Sequence, residues 1–308
     1  MFSDRSRLQG QMCLALAMLT VGSTVVAGKF AAPLPLFTGI ALRFAIATPL
    51  LALAMRMGGV RRPRLGRRTV LLLVLQAAAG SVGYTACLLA GLRLTSAGDA
   101  GVLLGALPAM TGLLAVCVLR ERVSLRGLAA IALATAGVAL TAAQGGASAA
   151  AAPHALAGDA LVLAAVACEA AFLLLDKRLP VPVPPLAQAT LMSGFGLLLA
   201  LPVALVERSG QPLGHWPPAA WAGVVWYALV PTVLGYWLWY RGAACLSGTQ
   251  AAPFTALAPP AALALSALVL GEPLHAAQLA GTALVICGVL VGASARSAAA
   301  AQAASAQA

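Results

Sequence analysis

The 308-residue chain nearly repeats itself at a spacing of 151 residues. Pro108 lies 151 residues before Pro259. Leu119 and Glu121 correspond to Leu270 and Glu272, and Gly137-Val138 to Gly288-Val289. Ser96, Leu114, Val118, Leu128, Ala129 and Leu133 have Ser247, Leu265, Val269, Leu279, Ala280 and Leu284 as their counterparts. The surroundings of the paired glutamates differ in charge: Glu121 is flanked by Arg120, Arg122 and Arg126, whereas Glu272 has no arginine beside it. A membrane domain duplicated so that its copies face opposite sides of a bilayer has this appearance.

The composition requires the bilayer. Charged residues make up 9% of the chain and hydrophobic residues 61%, against about 25% and 45–50% in soluble domains. Ten apolar segments can be marked, at about 11–30, 36–55, 69–91, 96–118, 125–144, 158–177, 186–206, 218–240, 246–270 and 275–294, each near the roughly 20 residues that span a hydrocarbon core. The joins after the third, fourth and ninth segments are so short that neighbouring helices must run antiparallel. The expected fold is an all-α polytopic membrane protein of ten transmembrane helices, arranged as two inverted five-helix repeats. The first repeat is placed at 1–144, an Ala/Gly-rich linker at 145–157, the second repeat at 158–296 and a disordered low-complexity tail at 297–308. The N-terminus could pass for a signal peptide, but its apolar run is long for one.

Charge sets the expected orientation. With a cytoplasmic N-terminus, 15 of the 19 basic residues fall on the inside; Lys29, Arg93 and Arg208 stay outside, and Arg43 is intramembrane. The positive-inside rule then puts both termini in the cytoplasm of a multi-pass inner-membrane protein. The net charge of +11 reads as a topology signal, which argues against nucleic acid as a partner. The Arg56–Arg68 cluster could also hold anionic lipid headgroups. The six cysteines lie in apolar runs without a Cys-x-x-Cys, so neither a metal site nor a disulfide framework is expected, and no cofactor is implied.

The fourth and ninth segments begin alike, with Ser96-Ala-Gly-Asp99 and Ser247-Gly-Thr-Gln250 both fitting capping boxes. That gives Asp99 a structural reading beside one in the transport path. Both segments then carry a mid-helix proline, Pro108 and Pro259, which deprives the carbonyls of Leu104 and Thr255 of their helical partners. In lipid, such breaks survive only where protein or a water-filled cavity covers them.

In these features the chain resembles the drug/metabolite transporter superfamily, and within it the EamA-type ten-helix carriers. The resemblance rests on Val21-Gly-Ser-Thr-Val-Val-Ala-Gly-Lys29, Leu42-Arg-Phe44, and the run from Gly91 through Pro108 to Ala136-Gly-Val138. It continues in the second half from Tyr236-Trp-Leu-Trp-Tyr240 through Pro259 to Leu270-Gly-Glu-Pro-Leu274 and Gly288-Val289. It implies two five-helix inverted repeats around a central cavity, working by alternating access. It also implies structural roles for Glu121 and Glu272 at helix ends. The family often carries an aromatic residue in the first helix of each half. Here those positions hold Val21 and Glu169, counted back from Lys29 and Lys177.

Glu169, near the middle of the sixth segment, is the foremost candidate for the transport path. A charge at mid-bilayer is expensive, about 2.5–3.5 kcal/mol on insertion scales, so this carboxyl should face a cavity or a partner, or be protonated. Arg43 could bind a substrate carboxylate, pair with Glu169 or Asp99, or snorkel outward. For Lys29 an interfacial role is expected. All five tryptophans and three of the four tyrosines fall within 216–240. Those at the ends read as interfacial belts, and Trp226 and Tyr227 as deeper. Tyr236 echoes Tyr84, the one tyrosine outside this region, and the two phenols are candidate cavity linings. Gln76, Gln188 and Thr232 complete the set. The expected activity is secondary transport of a small metabolite or drug-like solute, as a proton-coupled exporter. A membrane-embedded enzyme is the alternative from another class, but there is no intramembrane histidine and no Gly-x-Ser-x-Gly. A channel is a further alternative. The expected partners are a small-molecule substrate, the bilayer and, as a candidate, a second copy of the chain.

Overall fold

The computed structural model describes residues 4–60, 63, 65–119, 125–147, 154–176, 178–180, 183–207, 216–246 and 252–305. Among them there is helix and no strand. Six helices are long and apolar enough to cross a membrane: α1 (Leu8–Ala31), α2 (Leu36–Met57), α3 (Arg67–Leu92), α6 (Ala155–Asp176), α7 (Pro185–Glu207) and α8 (Pro218–Cys245). Between and after them run α4, in two pieces (Ala97–Leu104 and Leu107–Leu119), α5 (Leu125–Ala147), α9 (a 3₁₀ turn Ala252–Leu257 leading into Ala258–Leu270) and α10 (Ala276–Ser305). Large apolar side chains such as Leu198, Leu205, Val206 and Leu268 are exposed, as lipid-facing residues are in a membrane helix bundle.

The packing treats the two halves alike. α5 lies along α10 and α2 along α7, while α1 packs on α8 as α6 packs on α3. Exchanging the halves leaves these contacts unchanged; the first piece of α4 lies along Ala258–Leu270 of α9. Glycines mark the close approaches. A Cβ on Gly137 would lie 2.6 Å from the carbonyl oxygen of Gly281, and one on Gly288 would lie 2.8 Å from that of Ala130; each residue of the second pair is 151 positions from its counterpart in the first. Likewise, a Cβ on Gly242 would meet the oxygen of Gly10 at 2.9 Å, and one on Gly91 that of Gly158 at 2.8 Å. Gly91 and Gly242 are 151 apart, but Gly10 and Gly158 are 148 apart. The first helix of each half therefore follows a 148-residue register, the one that pairs Val21 with Glu169. Small residues allow these backbones to touch, which is how helices associate without a hydrophobic driving force.

Two π-helical segments interrupt α3 and α8, at Ala77–Gly83 and Ala228–Leu234. Their first residues are 151 apart and so are their last. In the second, Pro231 cannot donate to the carbonyl of Tyr227, and the Thr232 hydroxyl donates to that oxygen at 2.8 Å. In α4 and α9 the expected break comes just before the proline. Pro108 and Pro259 are each the second residue of a new helical piece, Leu107–Leu119 and Ala258–Leu270, where a missing N–H costs nothing because the first turn has no partner for it.

Residues 145–147 complete α5, and α10 runs to Ser305, where alanine, the best helix former, is frequent. Glu121 and the Ser247–Gln250 capping box lie outside the described residues.

Candidate functional site: a central cavity lined by Arg43 and Glu169

A cavity of about 130 Å³ lies between the halves. α1 contributes Met18, Val21 and Thr24, α2 Arg43, α3 Gly80 and Tyr84, α6 Glu169 and Phe172, α8 Tyr227, Tyr236, Trp239 and Tyr240, and α9 Thr255. The π segments supply two of the walls, Gly80 from one and Pro231 from the other. Its surface is mostly apolar and aromatic, with few polar groups, the usual make-up of a small-molecule site.

Arg43 is its fixed point. The residue is buried, 5% exposed, and so does not snorkel. Its Nε donates to Thr232 Oγ1 at 2.7 Å and its Nη1 to Thr85 Oγ1 at 2.6 Å. The guanidinium lies 4.2 Å from the ring centre of Tyr227 and 4.6 Å from that of Phe44, within cation–π range. Thr85 in turn donates to the Ser81 carbonyl at 2.7 Å. Arg43 thus ties α2 to α3 and α8 at their irregular turns. Both bonds go to neutral hydroxyls, so its charge faces the cavity without a bonded carboxylate. At 151 residues from Arg43 stands Gly194. There the counterparts of Thr232 and Thr85, Ser81 and Tyr236, contact each other directly at 3.5 Å.

Of the sequence candidates, Glu169, Arg43, Tyr84, Tyr227 and Tyr236 meet at this cavity, and Thr232 borders it as a partner of Arg43. The other candidates lie elsewhere. Trp226 is 50% exposed and its indole donates to Ser23 Oγ at 3.1 Å. Gln76 and Gln188 meet on Asp176, at 2.9 and 2.5 Å to the same oxygen. Asp99 belongs to a second, polar cavity of about 390 Å³ at one end of the bundle, with Lys29, Arg93, Glu272, His275 and Gln278.

That end is laced by hydrogen bonds across both halves. Ser96 caps α4 by accepting from the Asp99 amide at 2.9 Å, while the Asp99 carboxylate accepts from Gln278 Nε2 at 3.0 Å. Lys29 donates to the Thr95 carbonyl at 2.6 Å, and the Thr95 hydroxyl to Asp159 at 2.6 Å. Glu272 accepts from the amides of Ala97 and Gly98 at 3.0 and 2.9 Å, satisfying orphan donors at the start of α4. Lys29 is therefore a cross-linker of the helix ends. The sequence reading missed Trp239 and Tyr240, which it left among the belt aromatics, and did not single out Asp159 or Asp176. Asp176 had a signal: it follows Glu169 by seven residues, two turns along the same helix face. Among the described residues, no group of three or more His, Cys, Asp or Glu side chains could hold a metal.

Comparison with known proteins bears on what such a cavity serves. The model of the EamA-like transporter family matches the chain twice, over residues 8–143 and 156–293. The uncharacterized transporter YetK of Bacillus subtilis is 35% identical over 93% of this chain and 87% of its own length. A protein of Streptantibioticus cattleyicolor, named a probable terminal-alkyne amino-acid exporter, is 31% identical over 81% of each chain. One of Salmonella typhimurium, named a probable amino-acid metabolite efflux pump, is 30% identical over 63% of this chain and 67% of its own. A solved crystal structure shares the fold at a TM-score of 0.64 and 21% identity, covering 94% of this chain and 96% of the other.

Proposed function

The chain belongs to the EamA-like transporter family, and on that premise we propose that it exports small zwitterionic solutes of amino-acid type across the cytoplasmic membrane, by alternating access and coupled to protons. It is a multi-pass membrane transporter and not an enzyme. The observation that carries the reading is the central cavity. Arg43 and Glu169 line it together, and Arg43 is held by threonine hydroxyls. A solute that carries a carboxylate and an ammonium satisfies both groups, and the apolar and aromatic walls take its side chain. The names of two relatives, which speak of amino-acid export, favour the same class.

The proposed architecture is ten membrane-crossing helices in two inverted repeats, residues 1–144 and 158–296. The exchangeable packing of the halves supports it. So does arithmetic: five crossings per half is an odd number, so the second half must enter from the side opposite to the first. The proposed orientation, with both termini inside, rests on arginine placement. It puts the polar cavity of Lys29, Asp99 and Glu272 at the outer end and Asp176 toward the inner end. Single cysteines at Ala149 and Gly214, in a background without native cysteines, should react with an impermeant reagent from outside, and those at Gly66 and Ser124 should not. Labelling of Gly66 in intact cells would refute the orientation.

Glu169 is the proposed coupling carboxyl, because a lone carboxylate at that depth is expensive and a neutral one is not. The test is leucine transport in vesicles of purified protein. Glu169→Gln keeps shape and hydrogen bonds but cannot titrate. Accumulation of leucine driven by a proton gradient should fall at least tenfold, while exchange of labelled for unlabelled leucine persists. Undiminished uphill transport by Glu169→Gln would make the residue structural. Absence of leucine exchange in the parent protein, with a panel of other amino acids equally inert, would remove the substrate class.

A further inference from the structure

Three of the eight carboxylates in the chain lie on one helix, α6: Asp159, Glu169 and Asp176. Its counterpart α1 carries none within Leu8–Ala31. Charges in membrane helices are costly and mark function more often than architecture. Asp159 is engaged at the laced end of the bundle by Thr95. Asp176 lies toward the other end, and its surroundings are incomplete in an informative way. Its Oδ1 accepts from Gln76 Nε2 at 2.9 Å and from Gln188 Nε2 at 2.5 Å. Gln76 is wholly buried, and its own Oε1 has no hydrogen-bond partner. A buried amide oxygen without a donor is expensive. An ionised carboxylate beside it cannot help, since it only accepts; a protonated one has an O–H to give. Protonation of Asp176 would complete an acid–amide pair, with the Gln76 N–H donated to the acid and the acid O–H donated to Gln76 Oε1.

We propose that Asp176, paired with Gln76, is a second proton site of the transport path and exchanges its proton with Glu169. The proposal rests on the proton-coupled reading of Glu169 above. The two carboxyls are seven residues apart on α6, which places them about 20° apart around the helix and about 10.5 Å apart along it. The candidate relay is Tyr240 of α8, which lines the cavity with Glu169 and has a buried hydroxyl without a hydrogen-bond partner. A phenol hydroxyl donates and accepts at once, as a relay must. In the transfer an O–H bond breaks on Glu169 and one forms on Asp176, and the negative charge moves the other way; no further reactant is needed. Among the described residues, the other charges near Asp176 are directed elsewhere: Arg178, just past the end of α6, is exposed, Arg67 and Arg68 are exposed at the start of α3, Glu207 at the far end of α7 holds Thr38, and Arg241 of α8 is exposed against Trp237. Tyr236, the other phenol on this face of α8, contacts Ser81.

The test needs no substrate. Infrared difference spectra of the purified chain in lipid nanodiscs, between about pH 8 and about pH 5, report buried carboxyls as they take up protons. Asp176→Asn should delete one protonated-carboxyl band and Glu169→Gln another, and Glu169→Gln should shift the midpoint of the band that remains. The asparagine variant should fold, because its Oδ1 accepts both amides and its Nδ2 donates to Gln76 Oε1. Gln76→Leu should move the frequency of the Asp176 band by removing the acid–amide pair, which a merely structural aspartate would not register. Tyr240→Phe should slow proton exchange between the two sites without deleting either band. A spectrum unchanged by Asp176→Asn, with the Glu169 band still assigned by its own variant, overturns this proposal alone. A spectrum unchanged by Glu169→Gln overturns the reading beneath it, and the transfer with it.

Discussion

The two π-helical segments and the two first helices of the halves give opposite lessons about one duplication. Ala77–Gly83 and Ala228–Leu234 keep the same place and length, yet at matched positions they share only Ala77 with Ala228 and Val82 with Val233. Backbone geometry has outlasted the side chains. In α1 and α6 the reverse holds. Their glycine contacts to α8 and α3 correspond, but Val21 stands where α6 has Glu169, and Gly28 where it has Asp176. Arg43 likewise has only Gly194 opposite it. The scaffold is double while the chemistry is single. On the proposed reading, both repeats must move during transport, but one bound solute and one proton need only one set of charged groups.

On that division, changes to the charged groups should damage transport far more than changes at their uncharged counterpart positions. The largest effect is expected at Arg43. Arg43→Met keeps much of the volume but removes two charge-assisted hydrogen bonds, each worth about 1.5–3 kcal/mol, and the only cation among the described residues that line the cavity. Leucine exchange should fall at least a hundredfold, by roughly 3 kcal/mol. At the counterpart, a Cβ on Gly194 would meet nothing nearer than Thr48 Cγ2 at 3.8 Å, so Gly194→Ala should transport within twofold of the parent. Equal losses at the two positions would show that the cavity reads both halves alike.

The scaffold itself is sharpened by the crossings. A Cβ on Gly91 would lie 2.8 Å from both the Gly158 oxygen and Val162 Cγ2, and one on Gly242 would lie 2.7 Å from Leu14 Cγ and 2.9 Å from the Gly10 oxygen. Gly91→Leu and Gly242→Leu should therefore each destabilise the protein by roughly 1–3 kcal/mol through overpacking, read as similar falls in thermal midpoint in detergent. If one position tolerates leucine and its counterpart does not, the equivalence of these crossings fails.

A smaller effect belongs to Glu272. Its loss leaves the Ala97 and Gly98 amides without their carboxylate, a capping change worth about 1 kcal/mol. Glu272→Ala should speed hydrogen exchange at those two amides several-fold with little change at Gly288 on α10. Unchanged exchange at Ala97 and Gly98 would mean that water caps α4 equally well.

Much of the scaffold was legible in the sequence because lipid enforces it. Long apolar runs, short joins and matched prolines are read directly from residue types, and the six long helices fall where the hydropathy places them. The π segments were not legible: an extra residue in a turn leaves no hydrophobic signature, and Pro231 alone could mark an ordinary kink. Arg43 and Glu169 were found because charge in an apolar run is conspicuous. Thr85 and Tyr240 depend on which face of a helix turns inward. A 3.6-residue period decides that face only where polar and apolar sides differ, and α8 is apolar on nearly every side. Trp226 and Tyr227 are the clearest instance. As adjacent residues they look equally deep in the sequence, yet they point about 100° apart, one toward lipid and one into the cavity.

That pair supplies the smallest expected effect. Trp226 is half exposed, and its one polar contact is the indole donation to Ser23. Phenylalanine at that position keeps the aromatic surface toward lipid and gives up a single part-buried hydrogen bond, so Trp226→Phe should alter stability by about 0.5–1.5 kcal/mol at most and leave leucine exchange within twofold. Tyr227 is 3% exposed and its ring lies beneath the Arg43 guanidinium. Its hydroxyl has no hydrogen-bond partner, so Tyr227→Phe should be similarly mild, because the ring face remains. Tyr227→Leu removes the cation–π partner of Arg43 and should weaken leucine exchange several-fold. The series separates the two neighbours by geometry rather than by residue type. If Trp226→Phe proves as harmful as Tyr227→Leu, the α8 face toward Ser23 takes part in transport, and the boundary drawn here between lipid-facing and cavity-facing aromatics is misplaced.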